Sequence, residues 1–305
     1  MPDNALPLLK SSDLDINQLT PVHGGMGGAH IYCADGKYIV KHAVFSDLDA
    51  SVTQSLKNEY AFYKWSAARQ IGYIPDILFQ AVNGMEMIIV MKKHAALIRE
   101  DWGFDMQKRA MRLCASINAT STDGFESLHS ADKVFYDYPL AVSLGNWLKL
   151  HDRHPGVIDA SLLSSMYDKH DEILMSAEKL AVPQTLCHGD FHPYNFLADG
   201  ERLMICDWQS VSAARGIGDV AFFISRGSAM GIDIDKDMLI KEYHGAACRR
   251  LGETLKLEDL YTVCAASEFS VSFKFWAEHL QNSSVEQIKG IYDPMAANFK
   301  LLMSK

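Results

Sequence analysis

The chain has 305 residues, of which 48% are hydrophobic and 22% charged, with a formal net charge of −9. That is the composition of an ordinary globular protein, long enough for two lobes with a core each. The acidic balance argues against a nucleic-acid surface, which needs clustered Lys and Arg, and would suit a cationic small molecule among other partners. The N-terminal MPDNALPLLKSSD lacks the basic start and long apolar run of a secretory signal. No uninterrupted apolar stretch is long enough to span a bilayer, so no membrane partner is expected. Six scattered cysteines form no CxxC pair and read as reduced, mostly buried thiols. These features give a cytoplasmic expectation.

Residues 19–44 read as two or three strands around a glycine cluster. A first strand ends near Val22, the turn is His23-Gly24-Gly25-Met26-Gly27-Gly28, and Ala29 to Cys33 begins the second strand. Asp35-Gly36 signals a hairpin into Tyr38–Val44. Glycines let backbone amides approach a phosphate closely, so Gly24, Gly25, Gly27 and Gly28 are candidates for a phosphate cradle. Alone, the cluster reads equally well as a mobile hairpin tip. Lys41 interrupts an apolar strand, which is costly unless the ammonium is paired or reaches water.

Ser51 to Gly72 reads as a helix, with Ser51 as its cap and Glu59 as its only acid. Ile77–Val82, Asn83-Gly84 and Met85–Met91 spell a hairpin. Patterns turn helical near residues 93–100, which divides the chain into 1–95 and 96–305. Helices are expected at Phe104–Ala119, Pro139–His151 and Ser161–Leu180, then at Asp235–Leu251, Leu257–Gln281 and Ser284–Met303. Trp147, Leu163, Met166 and Ile173 read as core. The His170-Asp171-Glu172 cluster reads as a solvated helix face rather than a metal site.

The most informative stretch is LCHGDFHPYNFLADGERLMICDWQ, from Leu186 to Gln209. Asp190 and Asn195 are five residues apart, and Asp207 follows Asp190 by 17. Asp199-Gly200 is a tight-turn signal between two short apolar runs. The expected geometry is a loop, a strand, a turn and a strand ending at Asp207. That folds Asp207 back beside Asn195, where the two can offer oxygen ligands to Mg²⁺. Asp190 is then left to accept a proton. His188, Asp190 and His192 alone would also suit a metal-dependent hydrolase, but that reading leaves Asn195 and Asp207 unexplained.

This spacing resembles the catalytic loop and metal-binding Asp of the kinase fold. Its spelling, His-Gly-Asp and then Asp207-Trp208-Gln209, is similar to that of the aminoglycoside phosphotransferase and choline kinase-like superfamily of small-molecule kinases. The core resemblance covers about 40 residues, through Gly218-Asp219. It implies an α+β, bilobal, protein-kinase-like fold: an antiparallel sheet lobe with one helix, then a mainly helical lobe. It implies ATP and Mg²⁺ as cofactors, with Lys41 on the phosphates, Glu59 holding Lys41, Asn195 and Asp207 on the metal and Asp190 on the acceptor hydroxyl. His192 lies where protein kinases often carry a lysine near the γ-phosphate; a packed loop histidine is the other reading. His188 is expected to brace the loop, and Asp219 to anchor it. Residues near Val90–Lys93 would form the hinge that meets the adenine.

The sequence departs from a protein kinase in lacking an Ala-Pro-Glu segment after Asp207. A catalytically inactive kinase-fold binding protein is the alternative, against which stands the presence of every polar position. The expected acceptor is a hydroxylated small molecule: an aminoglycoside, an amino alcohol or a sugar-like compound. Glu268 and Glu278 are candidates to bind its amine or hydroxyl, and Trp276 to stack on it, although an amphipathic core helix explains most of that segment.

Overall fold

Period-two burial and turn glycines build the first sheet. In the computed structural model, which describes residues 19–22, 28–129 and 139–304, five antiparallel strands run in the order β1-β2-β3-β5-β4. They are β1 (Leu19–Pro21), β2 (His30–Ala34), β3 (Tyr38–Val44), β4 (Ile77–Val82) and β5 (Glu86–Lys92). Successive side chains of β5 serve opposite faces. Ile88 and Val90 join Leu19, Ala34 and Val40 on one face, while Met87, Ile89 and Met91 enter the main core on the other.

One helix, α1 (Ala50–Ala67), crosses between β3 and β4. It is shorter than the expected Ser51–Gly72, and its N-cap position is Asp49 rather than Ser51. The chain leaves the helix through Gln70 in the left-handed conformation (φ 53°), and the Ile71 amide donates back to Ser66 O at 3.4 Å. That reversal ends the helix before Gly72 is reached.

A two-residue strand, β6 (Ala95–Ala96), opens the second region, followed by α2 (Phe104–Asn118), α3 (Leu140–Arg153) and α4 (Ala160–Glu178). The Asp159 carboxylate caps α4 by accepting from the amides of Ser161 and Leu162. Then come β7 (Gln184–Cys187), β8 (Phe196–Asp199), β9 (Arg202–Ile205) and β10 (Ser212–Arg215). β7 pairs with β10, and β6 with β8 and β9. The chain closes with α5 (Ile217–Ala229), α6 (Lys236–Leu251), α7 (Leu257–Val271) and α8 (Val285–Met303). This is the bilobal, protein-kinase-like arrangement that the sequence leads one to expect.

Two expectations for the helical region are corrected. Leu257–Gln281 is not one helix: α7 passes into a π-helical turn at Ser272–Trp276. Ser272, Phe273 and Lys274 are buried in succession there, a run that a regular 3.6-residue stripe does not produce. His170 is not on a solvated face. It is fully buried, with Nε2 3.1 Å from Ser270 Oγ and Nδ1 3.0 Å from Asp171 Oδ1. The α4 helix is covered on that side by α7, and a polar partner on each ring nitrogen makes the burial tolerable.

Trp147, Leu163, Met166 and Ile173 lie in the core. All six cysteines are free thiols. Among the described residues no helix is long and apolar enough to cross a membrane.

Candidate active site

The β8–β9 hairpin sets the geometry of the site. Phe196 pairs with Ile205 and Asp199 with Arg202, around a left-handed Gly200 (φ 58°). Below Phe196 the Cys206 amide donates to Asn195 O at 2.9 Å. Asp207 therefore emerges one residue beyond the cross-strand partner of Asn195.

The loop before β8 is pinned from beneath. Asp219, buried at the start of α5, accepts from the amides of His188 (2.8 Å) and Gly189 (2.9 Å). Burial pushes its carboxyl up to about 6, against the pull of those two amides. His188 donates from Nε2 to Cys206 O at 3.0 Å and accepts from the Asp190 amide through Nδ1 at 3.2 Å. Burial pushes it down to about 4, opposed by Asp190, so it is a neutral brace between the loop and β9. With both ring nitrogens engaged, His188 has none left for a metal. Gly189 has φ 80°, and a Cβ there would come within 2.2 Å of Ser210 O. This close approach explains why glycine stands between His188 and Asp190.

Asp190 is thereby presented with its oxygens engaged on one side. Asn195 Nδ2 donates to Asp190 O (2.9 Å) and Oδ2 (3.1 Å), and His192 Nε2 lies 3.3 Å from the same Oδ2. Burial raises the Asp190 carboxyl, but His192, His188 and the Asn195 amide outweigh it and hold it below the usual carboxylate range. His192 accepts from the Tyr194 amide through Nδ1 at 3.3 Å, so its other nitrogen faces Asp190.

Lys41, 7% exposed on β3, reaches across to α1 and to the hairpin. Its Nζ lies 2.7 Å from Glu59 Oε2 and 2.8 Å from Asp207 Oδ1. Burial works against the ammonium, but Glu59 and Asp207 outweigh it and hold Lys41 above its ordinary value. Burial also pushes Glu59 up to about 7, against the attraction of Lys41. The lysine's charge is the firmer of the two, because it faces two carboxylates. Asp207 stays below its ordinary value: burial raises it, while Lys41 and Gln209 together lower it more. Asp207 also takes the left-handed conformation (φ 67°), uncommon for a non-glycine residue and frequent at functional sites. Trp208 explains how α1 is held to this strand end. Its ring stacks on Phe62 at 4.0 Å, and its Nε1 donates to Ile205 O at 3.0 Å. Phe62 sits three residues after Glu59, so one contact fixes the other.

Hard oxygen ligands for Mg²⁺ are available in this arrangement. Asn195 donates through Nδ2, and Asp207 accepts from Lys41 and Gln209 through Oδ1. Among the described residues Asn195 Oδ1 and Asp207 Oδ2 accept no hydrogen bond. One neutral and one anionic oxygen fit the preference of that ion.

Gln209, whose Nε2 donates to Asp207 Oδ1 at 2.8 Å, was not singled out from the sequence, although it directly follows the Asp-Trp pair. Gly24, Gly25 and Gly27 lie outside the described residues. Gly28 is left-handed (φ 74°), and a Cβ there would meet Val52 at 2.8 Å and Leu48 at 2.9 Å.

A cavity of about 310 Å³ opens beside Gly189, in the loop before β8. Ser55 and Asn58 of α1, Gly189, Gln209, and Ser267 and Ser270 of α7 help line it. No simple sequence signal marks this set, because its members come from distant segments. Glu268, Trp276 and Glu278 are not part of the lining. Glu268 turns to Lys236 Nζ (2.6 Å) and Asn298 Nδ2 (2.7 Å), the Trp276 ring carries the Arg226 guanidinium at 5.2 Å, and Glu278 is exposed.

The sequence model of the phosphotransferase enzyme family matches residues 18–255. A comparison with curated proteins gives no match. Solved structures share the fold at low identity. The GDP complex of aminoglycoside 2'-phosphotransferase-IIIa superposes with a TM-score of 0.59 at 14% identity, covering 97% of this chain and 95% of that one. A choline/ethanolamine kinase family protein from Mesorhizobium loti gives 0.56 at 15% identity, covering 99% and 92%. The amicoumacin kinase hAmiN, in complex with AMP-PNP, Ca²⁺ and Ami, gives 0.59 at 11% identity, covering 97% and 92%.

Proposed function

The chain belongs to the phosphotransferase enzyme family, and from that premise we propose that it moves the γ-phosphate of ATP to a hydroxyl of a small molecule. The observation that carries this reading is the ammonium of Lys41 held at 2.7–2.8 Å between Glu59 and Asp207, at the end of the hairpin that also bears Asn195. An ammonium fixed there suits the α- and β-phosphates of a nucleotide. Two structural relatives were solved with nucleotides, one with GDP and one with AMP-PNP and Ca²⁺. We take ATP as the donor and the cytoplasm as the location that supplies it.

In this reading residues 1–95 form the nucleotide lobe and 96–305 the catalytic and acceptor lobe, with residues near Val90–Lys93 at the base. Gly24, Gly25, Gly27 and Gly28 serve as the phosphate cradle. Asn195 Oδ1 and Asp207 would hold Mg²⁺, which supplies charge neutralisation on the phosphates. Asp190 receives the acceptor hydroxyl. Its carboxyl is ionised at neutral pH, so it accepts the hydroxyl's hydrogen bond and aims the oxygen in line. A strong base is not required when the transition state is loose and little charge builds on the nucleophile. His192 and Asn195 keep the Asp190 carboxylate in place.

The acceptor is proposed to enter the cavity beside Gly189, which falls at the small end of ligand pockets, roughly 300–1,000 Å³. Its hydroxyl and carboxamide groups suit a hydroxylated compound. The test is ATP consumption measured against a panel of amino alcohols, aminoglycosides and sugars, in wild type and in Asp190→Ala. Acceptor-dependent turnover that disappears in the variant, with nucleotide binding retained, supports the reading. Equal turnover in both proteins removes it.

A further inference from the structure

A second cluster of ligating side chains lies where the sheet meets the catalytic hairpin. Asp76 directly precedes β4, His94 follows β5, and Asp199 ends β8. One ligand atom from each can be chosen so that all three lie within 4.8 Å of one another. The backbone brings them together. The Lys92 amide donates to Asp76 O at 2.9 Å, and Ala95 pairs with Ala198, which sets His94 beside Asp199.

His94 points to a ligand. Its side chain is 1% exposed, yet Nε2 has no hydrogen-bond partner. That nitrogen lies 3.6 Å from Asp76 Oδ2, while Nδ1 lies 3.5 Å from Asp199 Oδ2. A buried ring nitrogen left unpaired is destabilising unless something binds it.

The neighbours divide into a support and a competitor. Arg202 is fixed to the carbonyls of Gly72 (3.0 Å) and Ile74 (2.7 Å), and it holds Asp76 through Oδ1 (2.7 Å), leaving Oδ2 toward His94. Orientation of a ligating carboxylate by such a hydrogen bond is a regular feature of metal sites. Lys92 places its ammonium 3.1 Å from Asp199 Oδ2, where a cation would sit, but its side chain is half exposed and free to swing out.

We propose that Asp76, His94 and Asp199 form a transition-metal site, of the Zn²⁺ class, that clamps the end of the sheet to the catalytic hairpin. One imidazole and two carboxylates suit Zn²⁺, with water in the fourth position, and suit Mg²⁺ poorly. The two aspartates are 38% and 48% exposed, so they have room to close on the ion. The site is separate from the Mg²⁺ ligands, and it stands or falls independently of phosphate transfer.

The test is a Zn²⁺ titration by calorimetry of the chelator-stripped full chain, in excess Mg²⁺ to fill the oxygen site. Wild type is expected to bind one equivalent. His94→Ala and Asp199→Asn are each expected to bind it at least about tenfold more weakly, with circular dichroism and melting to show that the variants fold. Lys92→Ala is expected to tighten binding, because it removes the competing ammonium. Co²⁺ should give visible absorption bands in wild type that are absent from His94→Ala. No Zn²⁺ binding by wild type overturns the proposal, as do equal affinities in wild type and the folded ligand variants. Weaker binding in Lys92→Ala also overturns it, because the cluster would then be an ion-pair network alone.

Discussion

The end proposed to hold the phosphates and the cavity proposed to take the acceptor are built by different means. At the phosphate end the polar groups hold one another. Asp219 holds the amides of His188 and Gly189, Asn195 holds Asp190, and Gln209 and Lys41 hold Asp207. The cavity of about 310 Å³ borders that cluster at Gly189, Gln209 and Asp219, and most of the rest of its lining comes from α1, α4, β10, α5 and α7, with Leu174, Phe222 and Val263 beside the serines. Chemistry common to every substrate needs a fixed constellation, which local spacing can encode. A pocket that suits one acceptor needs only a shape, which distant segments contribute together.

The sharpest way to break this comparison is at Asp190. Asp190→Ala is expected to lower acceptor-dependent turnover by about 10²–10⁴-fold, read by coupled ATP consumption, with nucleotide affinity little changed. Lys41→Met is the complementary change. It leaves Glu59 and Asp207 without their shared cation, so it should lose turnover by about 10²-fold or more and weaken nucleotide binding as well. If Lys41→Met left both unchanged, the phosphate end would not be where the nucleotide binds.

The cluster of Lys41, Glu59, Asn195 and Asp207 was legible in the sequence because its residues obey short rules. An Asp-Gly turn between two apolar runs dictates the β8–β9 hairpin, and the hairpin dictates that Asp207 returns beside Asn195. A lysine in an apolar strand announced a partner, and Glu59 was the only acid on α1. The rest depended on packing across long separations. His170 is polar and follows a helical pattern, yet α7 covers it, and nothing in its own helix says so. Glu268 stands among aromatics like a binding residue, but Lys236 and Asn298, 32 and 30 positions away, take it up. The π-helical turn at Ser272–Trp276 carries no composition signal at all.

A smaller effect is expected at the anchor of the loop. Asp219 has its carboxyl raised to about 6 by burial, so ionising it in the folded protein is unfavourable. The sign follows: its contribution to stability is fully present below its ordinary value and is lost as pH rises through about 6. Raising the carboxyl from its ordinary value to about 6 corresponds to roughly 3 kcal/mol as an upper limit. Asp219→Asn resembles the neutral form. The difference in stability between wild type and the variant should therefore change between pH 4 and 7 and level off above it. Denaturant melts at several pH values measure this. A constant difference would mean that Asp219 is ionised throughout, held by the two amides.

The smallest effects separate packing from recognition at the acceptor end. Glu268→Ala strips Lys236 and Asn298 of a partner that is 8% exposed, and a loss of about 1–3 kcal/mol is expected. The acceptor KM should not move, because Glu268 does not line the cavity. Glu278→Ala should leave both the melting temperature and the acceptor KM at their wild-type values, since its side chain faces solvent. Ser270→Ala provides the contrast: Ser270 does line the cavity and touches buried His170, so its loss should raise the acceptor KM. A rise in KM for Glu278→Ala with none for Ser270→Ala would move the acceptor from the cavity to the outer face of the late helices, and would restore the aromatic segment as the binding surface.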